Sequence, residues 1–101
     1  MLPDAVVTIR QALRQLLQEQ DYSLRELSQR LSLPEKEILP HLEQLLRRRE
    51  PHCRWVIQPA RCRRCGFVFQ KRQRLQTPSR CPLCRHEGIS APRFFLECQA
   101  P

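Results

Sequence analysis

Apolar residues recur at three- and four-residue steps over residues 5–19, where Ala5, Ile9, Ala12, Leu13, Leu16 and Leu17 form one stripe. Arg10, Gln11, Arg14, Gln15 and Gln18 fall outside it. The pattern predicts an amphipathic helix with Asp4, behind Pro3, as its N-cap. A second start stands at Ser23-Leu24-Arg25-Glu26, a capping box in which serine and glutamate each bond the other's backbone amide. Tyr22 and Leu27 occupy the flanking positions of a hydrophobic staple. A short helix from Leu24 to about Leu31 follows, with Leu24, Leu27 and Leu31 inward. Ser32-Leu33-Pro34-Glu35 reads as another box, with Pro34 in the first turn, where its missing N–H costs nothing. The third helix should run to about Arg49 and bury Ile38, Leu39, Leu42, Leu45 and Leu46, with Pro40 bending it or removing one hydrogen bond.

Beyond residue 50 the pattern changes to short strands. Cys53-Arg54-Trp55-Val56-Ile57 is the first; Phe67-Val68-Phe69-Gln70 is another, with both phenylalanines on one face. Arg93-Phe94-Phe95-Leu96-Glu97-Cys98 is the last, expected to pair with residues 54–58. That pairing would join the two halves into one sheet, with a seam near Pro59.

Two C-x2-C pairs, Cys62/Cys65 and Cys81/Cys84, stand in this second half, separated by fifteen residues. The spacing belongs to zinc sites, because thiolates three apart on a tight turn supply two corners of a tetrahedron. Gly66 follows the first pair, where a positive φ folds the chain back, and Pro82 stiffens the second. Four cysteines close the coordination sphere around one structural Zn²⁺. A disulfide framework is the alternative for six cysteines, but it suits secreted chains, and Met1-Leu2-Pro3-Asp4 does not resemble a signal peptide. The expectation is a reducing cytoplasm, with Cys53 and Cys98 reduced and packed as small apolar residues outside the metal site. His86 is read as a surface residue or an outer hydrogen-bond partner of the site. His41 and His52 have no evident partners.

The expected fold is therefore α+β: a three-helix winged helix-turn-helix over residues 1–58, packed directly on a small antiparallel zinc-ribbon sheet over residues 59–101. Residues 23–33 and 41–45 resemble the winged-helix domains of small prokaryotic repressors, including the arsenic-repressor type, with residues 53–57 in the wing position. The ribbon, Pro59-Ala-Arg-Cys-x-x-Cys-Gly-Phe-x-Phe through Pro78-Ser-Arg-Cys-Pro-x-Cys to Pro92-Arg-Phe, resembles a family of predicted prokaryotic transcriptional regulators that fuse a helix-turn-helix to a zinc ribbon. The resemblance implies zinc on Cys62, Cys65, Cys81 and Cys84 and a role linked to DNA.

Charge adds a direction. Residues 1–50 hold eight basic and eight acidic side chains, whereas residues 51–101 hold ten basic ones against Glu87 and Glu97. Zinc with four thiolates adds two negative charges, so the loaded second half carries about +6. Such asymmetry points to an anionic partner, DNA first. Between the cysteine pairs, Lys71, Arg72, Arg74 and Arg80 occur with no acid, as a loop that follows phosphates would require. Arg54 joins them. Arg47 and Arg48 end the third helix, where they also complement its dipole. The start of that helix is acidic, with Glu35, Glu37 and Glu43, which opposes a simple base-reading role. An alternative is an interaction module, similar in architecture to general transcription factor E, that docks on RNA polymerase or another transcription protein. No open metal position, nucleophile–base pair or phosphate loop is present, so no enzyme and no small-molecule substrate are expected. No apolar run reaches the roughly 20 residues of a membrane span.

Overall fold

A computed structural model of the chain describes residues 8–69 and 75–99. Three helices, α1 (Ile9–Glu19), α2 (Leu24–Leu31) and α3 (Glu35–Arg47), are interleaved with and followed by strands β1 (Tyr22–Ser23), β2 (Cys53–Gln58), β3 (Arg61–Cys62), β4 (Ile89–Ser90) and β5 (Arg93–Cys98). Sheet order is β1-β5-β2 in one sheet and β3-β4 in the other, all antiparallel.

The helices start and stop for local reasons. Asp4 and the expected start at residue 5 lie outside the described residues; within them, α1 begins at Ile9 behind a Thr8/Gln11 capping box. The Ser23/Glu26 box opens α2 as expected. Ser32 does not open α3. It closes α2 at φ 56°, and the Leu33 amide reaches back to the Ser28 carbonyl at 3.1 Å, the six-to-one bond of a Schellman closure. A residue held in that left-handed turn cannot also present the extended backbone of an N-cap. Pro34 is the N-cap of α3, without a side-chain bond, and the Glu37 and Ile38 amides use its carbonyl. Pro40 sits inside α3 on the exposed side and takes one rung from its hydrogen-bond ladder.

The main core gathers Leu13 and Leu17 from α1, Leu24 and Leu27 from α2, and Ile38, Leu42 and Leu45 from α3, over Tyr22, Phe94 and Leu96 of the sheet. Leu39 and Leu46, expected inside, pack only at its margin. The division expected at 58/59 assigned residues 93–98 to the ribbon. Phe94 and Leu96 are buried in the helical core, so β5 also packs on the helices.

The two sheets share one register. Cys53 faces Cys98 and Gln58 faces Arg93 in the first, and Arg61 faces Ser90 and Cys62 faces Ile89 in the second. The same count places Pro59 opposite Pro92. Neither residue has an N–H to give, so the ladder lapses there and resumes two residues later. The expected pairing of the first and last strands is present and continues into the ribbon.

Polar ties hold the helices to this ladder. Trp55 Nε1 donates to the Leu45 carbonyl at the end of α3 (3.0 Å). Arg14 Nε donates to both Glu50 carboxylate oxygens (3.1 and 3.0 Å). Arg93 donates to Asp21 Oδ2 (3.0 Å) and to the Asp21 carbonyl (3.1 Å), and its Nη2 lies 2.8 Å from Glu26. The Ser23 amide first, then Arg93, hold the Glu26 carboxyl below its ordinary value of 4.5, against the opposing cost of burial.

Cys53 and Cys98 are not free thiols. They form a disulfide across β2 and β5, with Cα atoms 3.9 Å apart. The cause is register: directly opposed residues of antiparallel strands point to the same face, and both cysteines pack at the margin of the helical core. They stay outside the metal site, as expected, but as a clasp joining the two ends of a 45-residue separation. No helix of the described residues is long and apolar enough to cross a membrane.

The double variant Cys53→Ala/Cys98→Ala should be about 2–4 kcal/mol less stable than the oxidised protein in denaturant titrations. Its stability should match that of phosphine-reduced wild type. Equal stability of oxidised and reduced protein would show that the strands hold without the bridge. Glu26 gives a second check. Its folded pKa is depressed, so its contribution is full above 4.5 and is lost as pH falls through the folded value. Glu26→Gln preserves the box while removing the charge, so unfolding of the helical core should lose less stability below about pH 4.5 than in wild type.

Candidate metal centre

Each cysteine pair sits in the same backbone device. In the first, the Gly66 amide donates to the Cys62 carbonyl (3.0 Å) and the Cys62 amide to the Phe67 carbonyl (2.8 Å). In the second, the Arg85 amide donates to the Cys81 carbonyl (2.9 Å) and the Cys81 amide to the His86 carbonyl (2.9 Å). Further amides point at sulfur: Cys65 N–H at Cys62 Sγ (3.5 Å) and Leu83 N–H at Cys81 Sγ (3.4 Å). Each turn closes on a residue of positive φ, Gly66 at 81° and Arg85 at 64°. Glycine adopts that region freely; arginine does so at a cost.

The β3-β4 pair and these bonds bring four sulfurs together. Cys62 and Cys84 Sγ are 3.5 Å apart, as are those of Cys65 and Cys81, and all four lie within 4.8 Å of one another. A tetrahedral zinc with bonds of about 2.3 Å spaces its sulfurs about 3.8 Å apart. The set fits, and Cys62, Cys65, Cys81 and Cys84 are the ligands for a single zinc ion. No fifth residue of the described chain joins them. His86 contributes its backbone carbonyl, while its ring lies over Gly88, 2.6 Å from where a Cβ there would stand.

Without a cation these thiols cannot all ionise. The Cys65 amide does most to pull Cys62 down to about 6. At Cys65 the Phe67 amide works in the same direction, but burial and the hydrogen bonds to the other three thiols push it up to about 12. A dication reverses this by stabilising all four thiolates together. It also replaces a missing core. Around the site only Ala60, Cys62, Cys81 and Ile89 are buried among the described residues, with Phe67, Phe69 and Cys84 alongside. Phe67 and Phe69 do share a face, meeting edge to face at 4.9 Å. Among the described residues their strand, however, is reduced to a single bridge, Val68 to Arg61.

The residues expected to touch nucleic acid are scattered. Lys71, Arg72 and Arg74 lie outside the described residues. Leu75, which follows them, packs against the helical core and Pro78 is buried, so the described part of this loop returns to the helices. Arg54 pairs with Glu97 across the sheet at 2.6 Å, and Arg80 meets Glu87 at 3.5 Å. Arg47 and Arg48 are exposed at the end of α3. Sequence reasoning passed over Arg61, Arg63, Arg64 and Arg85, which surround the metal ligands and are all exposed. The signal was an arginine after the second cysteine pair, where glycine follows the first.

Residues 59–99 match the family described as the PF0610 rubredoxin-like zinc beta-ribbon domain. Over the whole chain, the solution NMR structure of protein PF0610 from Pyrococcus furiosus is similar at 31% identity with a TM-score of 0.59, covering 98% of this chain and 97% of that one. No curated protein matches the chain.

Because the thiols still protonated must lose their protons as zinc binds, affinity should rise with pH from about 6 to 8, with measurable proton release in calorimetry. Affinity independent of pH would remove the thiolates from the site. Chelating zinc should collapse the amide dispersion of Cys62, Gly66 and Ile89 while helical ellipticity persists, since the two cores are separate. Simultaneous loss of both signals would show that the helical core cannot stand without the metal.

Proposed function

The chain belongs to the family of protein PF0610 from Pyrococcus furiosus, and on that premise we propose that it is a zinc-stabilised DNA-binding regulator of transcription, with no catalytic activity, built as a winged helix whose wing carries a zinc ribbon. The observation that carries this reading is the path of the chain around its core. The strand β1 lies between α1 and α2 and pairs with β5, which pairs with β2 after α3. Three helices backed by such strands are the pattern of a winged helix-turn-helix, with β2 and β5 as wing strands and a short turn at Ser32–Pro34 between α2 and α3. The basic excess of residues 51–101 supplies the complement to a phosphate backbone.

The acids of α3 limit what that helix does on DNA. Glu35 and Glu37 in its first turn, and Glu43 further on, are exposed, and carboxylates are repelled by phosphates. In this reading the wing side carries much of the affinity. The same acids favour a second reading, in which α3 docks on a basic face of RNA polymerase or another transcription protein and DNA is contacted weakly or not at all.

Binding of the zinc-loaded protein to a mixed-sequence duplex should weaken with salt, with a log–log slope of about −4 to −5 for a contact of roughly five phosphates. Glu35→Gln/Glu37→Gln should leave affinity unchanged or raise it. No binding to duplex at low salt would overturn the DNA reading in favour of docking.

A further inference from the structure

The zinc end of the ribbon carries four arginines beside a metal centre whose net charge with four thiolates is −2. Arg63 and Arg64 lie between the first two ligands, Arg61 precedes them, and Arg85 follows the last. All four are exposed, and none makes an ion pair among the described residues, although Arg14, Arg54, Arg80 and Arg93 all do. Arg63, Arg64 and Arg85 stand within one residue of cysteines whose sulfurs share a space 4.8 Å across. Their backbones therefore form one small cap.

Two further observations give this cap a direction. Leu83, between the last two ligands, is 71% exposed, the most exposed large apolar side chain among the described residues. Arg85 occupies the left-handed turn position that Gly66 fills in the first pair. An L residue is strained there, so the zinc turn would be more stable with glycine. Backbone strain at an exposed cation motivates looking for a contact made by its side chain.

We propose that this cap is a DNA contact in its own right, with Arg63, Arg64 and Arg85 on phosphates and Leu83 set against the minor groove between them. The chemistry fits a duplex. Guanidinium groups bind phosphate oxygens in two-pronged fashion, and an exposed aliphatic side chain flanked by arginines serves as a groove wedge. The cap stands at the far end of the ladder from the helical core, in a molecule 52 Å along its longest axis. It would grip the duplex apart from α3. This proposal rests on the DNA-binding reading above and assigns it a surface.

The test is fluorescence anisotropy of the full zinc-loaded chain on a labelled mixed-sequence duplex of about 20 base pairs, at several salt concentrations, with zinc content measured for every variant. Arg63→Gln/Arg64→Gln/Arg85→Gln should bind at least about tenfold more weakly, and its salt slope should shrink by about 2.7, or about 0.9 for each phosphate no longer neutralised. Replacing the same three arginines with lysine should restore most of the slope, since neutralising a phosphate needs only the charge. Arg85→Gly keeps the zinc turn whatever the triple variant does. It should raise the ribbon's stability and yet weaken binding, with a slope smaller by about 0.9. A purely structural arginine cannot move those two readouts in opposite directions. Wild-type binding with the triple glutamine variant and Arg85→Gly both unchanged in affinity and slope would overturn the proposal and leave the DNA-binding reading standing. Variants that bind an RNA hairpin more weakly while their duplex binding is unchanged would also overturn it. Wild type that binds no duplex would overturn both.

Discussion

The antiparallel pairing of residues 53–62 with residues 89–98 is the constraint on which the rest of the structure depends. It carries one register from the disulfide between Cys53 and Cys98 to the metal ligand Cys62 opposite Ile89. At one end its inward side chains, Phe94 and Leu96, finish the helical core. At the other, the first cysteine pair is the continuation of the same strand. Pro59 and Pro92 face each other midway and remove the hydrogen bonds that would make the ladder rigid throughout. The helical and metal-binding parts are thus two cores strung on one pair of strands. The radius of gyration, 15.0 Å against roughly 13 Å expected for a compact chain of this length, agrees with that extended arrangement.

Each end of the ladder is secured by sulfur, in opposite redox forms. The disulfide cross-links the strands where they meet the helices, and four thiolates gather a zinc ion where the strands leave them. The metal end needs its ion because its apolar residues are so few. Two of the four buried residues around it are themselves ligands, so the free energy of metal binding there is folding free energy. Among the described residues the helical end has ten buried in one cluster.

What the sequence made legible follows how local each determinant is. The Ser23/Glu26 box was readable because both partners lie within one turn, and the cysteine spacing because the knuckle is a closed local geometry. The pairing of the first and last strands was readable from their patterns, but its register was not, and the disulfide depends on register alone: one residue's slip would send Cys53 and Cys98 to opposite faces. Ser32 misled because Ser-x-x-Glu has the same letters whether the serine starts a helix or closes the one before it. The second attachment of β5 was not legible for a related reason, since Phe94 and Leu96 look like ribbon residues until their partners in the helical core are known. The cations around the zinc entered only through the net charge of the second half. Their exposure, and the positive φ of Arg85, belong to the folded chain.

If the wing and its zinc cap face DNA more closely than the acidic start of α3 does, the difference is visible residue by residue. Backbone amide shifts of the zinc-loaded chain, titrated with a short duplex, read it directly. The largest changes should fall on Arg63, Arg64, Leu83 and Arg85, with smaller ones at Arg47 and Arg48 and little at Glu35 and Glu37. Changes confined to the first turns of α3, with the zinc cap silent, would contradict this arrangement.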